Sequence, residues 1–103
     1  MIAFVSQPMK GKTKAEIMAV RKKAQRILNE YFGKVEILDS YFENLPEAEN
    51  HAHESVFYLA KSLELMSNAD VVYFAPGWNT ARGCIVENMV ANTCGIPTVV
   101  DDA

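Results

Sequence analysis

Residues 68–92 read N-A-D-V-V-Y-F-A-P-G-W-N-T-A-R-G-C-I-V-E-N-M-V-A-N, and this stretch decides the fold. Val71, Val72, Tyr73, Phe74 and Ala75 make a short unbroken run of mainly β-branched and aromatic residues. Such a run suits a strand covered on both faces, as in a parallel sheet. Pro76 and Gly77 stop it. From Gly83 onward Ile85, Met89 and Val90 recur at helical spacing, and Gly95 before Ile96-Pro97 supplies a C-terminal stop. A strand that passes through a glycine-containing loop into a helix is a place to look for chemistry, and Glu87 lies about one turn inside that helix. Near a helix N-terminus a carboxylate feels the positive end of the macrodipole, worth roughly 0.3–1 kcal/mol. Glu87 is therefore expected to be ionised at neutral pH, as a nucleophile or a holder of a sugar hydroxyl. The ordinary alternative is a helix glutamate facing water.

Working outward, Ile2, Ala3, Phe4 and Val5 read as a first strand, followed by a loop over residues 6–12. Thr13 and Glu16 have capping-box spacing, which starts a helix at Thr13. Ile17, Val20, Ala24, Ile27, Leu28 and Tyr31 trace one apolar stripe on it, and Gly33 ends it. Residues 35–38 form a second strand that stops at Asp39. Residues 40–54 contain Pro46, scattered acids and no clean period, so they read as a long surface loop with a helical turn. Val56, Leu59, Ala60, Leu63 and Met66 define a second helix from Ser55, and residues 96–100 a fourth strand. Strands alternating with helices give a doubly wound parallel α/β sheet of four strands in the order 2-1-3-4, with three helices. Ligands bind such sheets beyond the carboxyl ends of the strands where the winding reverses. Here that crevice lies between strands one and three, with residues 6–12 and 76–82 as its lips.

The chain has 103 residues, half of them apolar, enough for a single domain with one core. A net charge of -3 without a long run of one sign argues against nucleic-acid polymers and membrane surfaces, and leaves a small molecule as the expected partner. Cys84 and Cys94 match neither a zinc knuckle nor a C-x-x-C pair, so both are expected reduced and buried in a cytoplasmic chain. The first five residues lack a basic n-region and turn polar at Ser6, unlike a signal peptide or a membrane span.

Several constellations carry less than they first offer. Residues 6–13, S-Q-P-M-K-G-K-T, miss a Walker A loop because Ser6 stands where glycine is required, and Pro8 removes an N–H that a phosphate cradle would use. A weaker anion site at the start of the first helix, with Lys10 and Lys12 beside it, remains open against a simple basic turn. His51, His53 and Glu54 lack a third spaced ligand partner elsewhere, so no metal is expected. Trp78 is placed either to stack on a planar base or to plug its loop, and Tyr41 and Phe42 either cover a pocket or pack beneath the long loop. Cys84 would have a lowered pKa if exposed at its helix start, but no base accompanies it.

Residues 2–11, together with residues 69–78, Ala81-Arg82-Gly83, Glu87, Ala91 and Gly95-Ile96-Pro97, resemble the nucleoside 2-deoxyribosyltransferase-like family. Within it the S-Q-P-M-x-G and P-G-W-x-x-A-R-G stretches look closest to a branch of small bacterial and phage proteins. The resemblance implies a flavodoxin-like sheet and a homo-oligomer with sites near subunit contacts. It also implies cofactor-free cleavage of the N-glycosidic bond of a 2-deoxynucleoside or its monophosphate, through a covalent sugar adduct on Glu87. Ser6, Gln7, Pro8, Met9, Lys10 and Gly11 on one lip, and Gly77, Trp78, Ala81, Arg82 and Gly83 on the other, would bind the substrate. Two family acids are replaced, one by Ala81, six residues before Glu87, and one by Ser62 in the preceding helix. Losing a carboxylate beside the sugar while carrying Arg82, Lys10 and Lys12 favours a 5′-phosphate. Losing the proton donor instead favours a non-catalytic nucleotide or nucleotide-sugar binding module. A third possibility, a small oligomeric scaffold with a vestigial pocket, is favoured if Glu87 is buried in a salt bridge instead of facing the crevice.

Overall fold

A computed structural model describes residues 1–42 and 45–101. Strand β1 (Ile2–Ser6) lies between β2 (Glu36–Ile37) and β3 (Val71–Phe74), and β4 (Thr98–Val100) flanks β3. All pairings are parallel, so the order is β2-β1-β3-β4. Helices α1 (Lys14–Phe32), α2 (Glu54–Met66) and α3 (Arg82–Thr93) connect them, completing the flavodoxin-like doubly wound α/β arrangement.

The two faces follow from the period-2 alternation of strands. Ala3, Val5, Val71 and Tyr73 pack with Ala24 and Leu28 of α1. Phe4, Val72 and Phe74 pack on the other face with Met66 of α2 and Ala91 of α3. The chain thus leaves β1 across one face and returns to β3 across the other, which is why the carboxyl ends of these two neighbours diverge into a cleft. Their register, Ser6 opposite Phe74, puts both lips at one height.

The capping box forms as the spacing requires: Glu16 N–H donates to Thr13 Oγ1 at 3.1 Å, and Thr13 N–H donates to Glu16 Oε1 at 3.0 Å. Backbone hydrogen bonds lower the Glu16 pKa. Gly33 ends α1 at a φ of 82°.

Five features differ from the sequence reading. β2 is two residues long because α1 side chains take up the backbone around it: Val35 N–H donates to Asn29 Oδ1 at 3.1 Å, Gln25 Nε2 to Val35 O at 2.6 Å, and Arg21 Nη1 to Leu38 O at 3.3 Å. Tyr31 is 70 % exposed, since α1 overruns the sheet edge before it ends. Val56 and Ala60 also face outward, so the buried contacts of α2 come from its later turns, Leu63 and Met66. On α3 the inward face is Cys84, Glu87 and Ala91, while Ile85 and Met89 are exposed. Cys94 is exposed as well, beyond that inward stripe; both cysteines are free.

Pro46–Asn50 forms a 3-10 helix that buries Ala48, and Leu45 N–H donates to the Tyr58 hydroxyl at 3.0 Å. Glu43 and Asn44 of this long segment lie outside the described residues. Tyr41 sits under the Lys14 ammonium, and His51 stacks on Phe57 with centroids 4.5 Å apart. At the far edge, Tyr73 donates its hydroxyl proton to Asp101, which is 3.2 Å from Lys23 Nζ, so β3, the end of β4 and α1 are tied together. Burial, and then Asp101, hold the Tyr73 phenol well above its ordinary range.

Candidate functional site

A cleft of about 1140 Å³ opens at the carboxyl edge of β1 and β3. It is lined by Ser6, Gln7, Pro8, Met9 and Lys10 from one lip and by Gly77, Ala81, Arg82, Gly83 and Glu87 from the other. Gly11 and Trp78 are not in its wall. Gly11 serves the turn, at a φ of 77°, beside the bond from Lys12 N–H to Met9 O at 3.0 Å. Trp78 packs its ring on Phe74, centroids 5.5 Å apart, against the α2/α3 side of the core. The lips touch where Gly77 takes a φ of 85°: a Cβ there would lie 3.5 Å from Pro8 Cγ. A left-handed conformation of this kind favours glycine.

The centre of the site is a short buried link. Ser6 ends β1 on the face turned toward α3, and its hydroxyl donates to Glu87 Oε1 at 2.6 Å. Ser6 is 1 % and Glu87 7 % exposed. The partner of Glu87 is thus a hydroxyl, not the cation that a salt-bridged scaffold would need. Burial pushes the Glu87 carboxyl up to about 7, with the Ser6 hydrogen bond pulling the other way. The expectation of a fully ionised carboxylate is corrected here. Residue 87 lies beyond the first turn of α3, where the macrodipole has faded, and the loss of hydration outweighs what remains of it. Cys84, one turn earlier, adjoins both groups; burial pushes its thiol up to about 11, which removes the activated cysteine considered from sequence.

The ends of α1 and α3 differ as anion sites. The first turn of α1 is occupied by its own capping box. α3 begins at Ala81 with no side-chain cap and no acid in its first turn, and a Cβ on Gly83 would meet nothing within 4 Å. Residues 81–84 at its start line the cleft, while Lys10 and Lys12 border the opposite lip. Gln7, 5 % exposed, donates Nε2 to Ile17 O at 3.2 Å and leaves Oε1 without a partner among the described residues.

Sequence reasoning did not name other parts of the wall, among them Glu16 and Ile17 of α1, Ser40 after β2, Ser55, Val56 and Leu59 of α2, and Val86 of α3. α2 must start where β2 ends, so its first turn returns to the carboxyl edge, a constraint that could have found Ser55 and Val56. Ser62 and Ala81, the positions where the resemblance puts acids, both line the cleft. Among the described residues no cluster of His, Cys, Asp or Glu could hold a metal ion, and no helix is long and apolar enough to cross a membrane.

No curated protein and no solved structure gives a significant match to the chain. The family described as Domain of unknown function (DUF4406) has a model that matches residues 1–100, and the chain belongs to that family.

Proposed function

We propose that the protein cleaves or transfers the N-glycosidic bond of a nucleoside or 2-deoxynucleoside, preferably its 5′-monophosphate, with Glu87 as nucleophile. The observation that carries this reading is a carboxyl 7 % exposed in the wall of the cleft and held by a hydroxyl at 2.6 Å. A lone pair of the ionised carboxylate attacks C1′, and the C1′–N bond breaks with its electron pair going to the base, which takes a proton from water. Water, or the nitrogen of a second base, then attacks C1′ and releases Glu87 with net retention. The uncapped start of α3, Arg82, Lys10 and Lys12 would receive the phosphate. Ala81 puts no carboxylate at that position of the wall. Ser40, Ser55 and Thr80 add hydroxyls suited to a sugar.

Ser62 favours a second reading. It lines the cleft where a proton donor would assist the leaving base, and a hydroxyl is no acid at neutral pH. Missing acid assistance typically costs about 10²–10⁴-fold, so slow turnover and a purely nucleotide-binding module are the two outcomes to separate. The family resemblance also implies a homo-oligomer; Ile85 and Met89, exposed one turn apart on the helix that carries Glu87, are the apolar surface a second copy would cover. Incubation with a panel of deoxynucleoside monophosphates, assayed for free base, tests the proposal. Release by wild type and its loss in Glu87→Gln is expected. Equal release by both removes Glu87 from the chemistry, and ligand-dependent thermal stabilisation without release selects the binding module.

A further inference from the structure

The end of β1 places a hydroxyl whose position the sheet fixes. Ser6 pairs with Phe74 in the β1–β3 register, and Ala75 N–H donates to its carbonyl at 2.9 Å. The side chain therefore cannot drift with the loop that follows. At 1 % exposure no bulk water can stand in for its proton. A serine hydroxyl has one proton to give and two lone pairs to receive. Two side chains meet it: the Glu87 carboxyl, through Oε1 at 2.6 Å, and the Cys84 thiol. The thiol remains S–H throughout the range in which the carboxyl titrates, because burial holds it near 11. It does not compete for the proton as an anion would.

We propose that Ser6 is a positioning residue for Glu87: its hydroxyl ties down Oε1, leaves Oε2 as the oxygen that meets the sugar, and donates a hydrogen bond that favours the ionised carboxyl. The attack by Oε2 rests on the N-glycosidic reading above; the control of the charge on Glu87 does not. Hydrogen bonds to an ionised group are roughly twice as strong as neutral ones, so the contact favours the carboxylate over the acid. The other groups that face the carboxyl are accounted for. The charged residues in the cleft wall are Lys10 and Lys12 from the β1–α1 loop, Glu16 from α1 and Arg82 at the start of α3; α2 contributes Ser55 and Ser62. Among all of these the forces acting on Glu87 are its burial and the Ser6 bond, which oppose each other. The Ser6 bond thus offsets part of the desolvation.

The test titrates the Glu87 side-chain carboxyl carbon by NMR in wild type, Ser6→Ala and Ser6→Cys, with Glu87→Gln to assign the resonance, alongside the pH profile of base release. In Ser6→Ala the midpoint is expected to rise by about one pH unit, the value of one charge-assisted hydrogen bond. Ser6→Cys, which keeps the shape with a weaker donor, should fall between. Base release, measured at low substrate, should shift by the same amount, dropping about fivefold at pH 7 and recovering at higher pH. An unchanged Glu87 midpoint in both variants overturns the inference. A shifted midpoint with no base release by any of the proteins retains Ser6 as the holder of Glu87 and overturns its catalytic part together with the N-glycosidic reading.

Discussion

A carboxyl taken from water without a cation beside it keeps its charge at a cost, and Glu87 shows the size of that cost. Its folded value of about 7 stands against an ordinary 4.5. Between those two pH values the folded chain holds a proton that the unfolded chain has released, so stability falls as pH rises across that window. The difference amounts to roughly 3 kcal/mol once pH exceeds the folded value. Glu87→Gln imitates the neutral acid and keeps an acceptor for Ser6. At pH 8 it should raise the unfolding free energy by roughly 3 kcal/mol in urea titrations, and at pH 5 by under about 1 kcal/mol. An equal effect at both pH values would mean that the residue 87 carboxyl titrates normally. Activity should run the opposite way, since only the ionised form attacks.

At the scale of elements, β2 depends on a helix for its edge. Arg21, Gln25 and Asn29 stand one turn apart along α1 and bond the segment around β2, with Arg21 Nη2 also donating to Ser40 Oγ at 2.5 Å. Side chains laid along an edge strand cover the backbone groups that would otherwise template a neighbour. Burial lowers the Arg21 pKa and the nearby Asp39 partly restores it, so this guanidinium is half withdrawn from water. Arg21→Ala removes two charge-assisted bonds and strands the Ser40 hydroxyl beside the cleft. A loss of about 2 kcal/mol is expected in chemical denaturation, with faster amide exchange at Leu38 and Ser40 than at β3. Uniform exchange across the sheet would show that the strap contributes nothing local.

The element scale also explains which parts were legible. Strand β3 was readable because a parallel strand buried on both faces is apolar throughout, and α1 because its capping box and stripe agree. α3 misled because its large apolar residues face outward. The residues this helix buries are the small Cys84 and Ala91 with Glu87 between them, and only Val90 adds a larger, half-buried apolar side chain to the core. Residues 84, 87 and 91 share a face at three- and four-residue spacing, a pattern that hydropathy hides because one of them is charged. Trp78 was undecided for a related reason: a ring next to a loop glycine fits a core plug and a ligand platform equally until the strand beneath it is placed.

For the whole molecule, the parallel sheet makes one edge chemically different from the other. β1 and β3 bring Ser6 and the α3 start to one edge, although 81 residues separate Ser6 from Glu87 in the chain. Strand order predicted that convergence; it could not predict that the two groups bond directly, which depends on the depth of α3 over the sheet. If the apolar pair Ile85 and Met89 is covered by a second copy, Met89→Asp should give a monomer in sedimentation velocity where wild type associates. Identical sedimentation of the two would place any contact elsewhere.

A covalent bond between Glu87 and a sugar would be directly observable as an adduct on the protein. A 2′-fluoro-2′-deoxynucleoside monophosphate, whose electron-withdrawing fluorine slows hydrolysis of the glycosyl ester, should label the protein with one sugar phosphate, mapped by peptide mass analysis to Glu87 and absent from Glu87→Gln. Labelling that survives in that variant, or base release from the natural substrate with the adduct on another residue, would contradict the account.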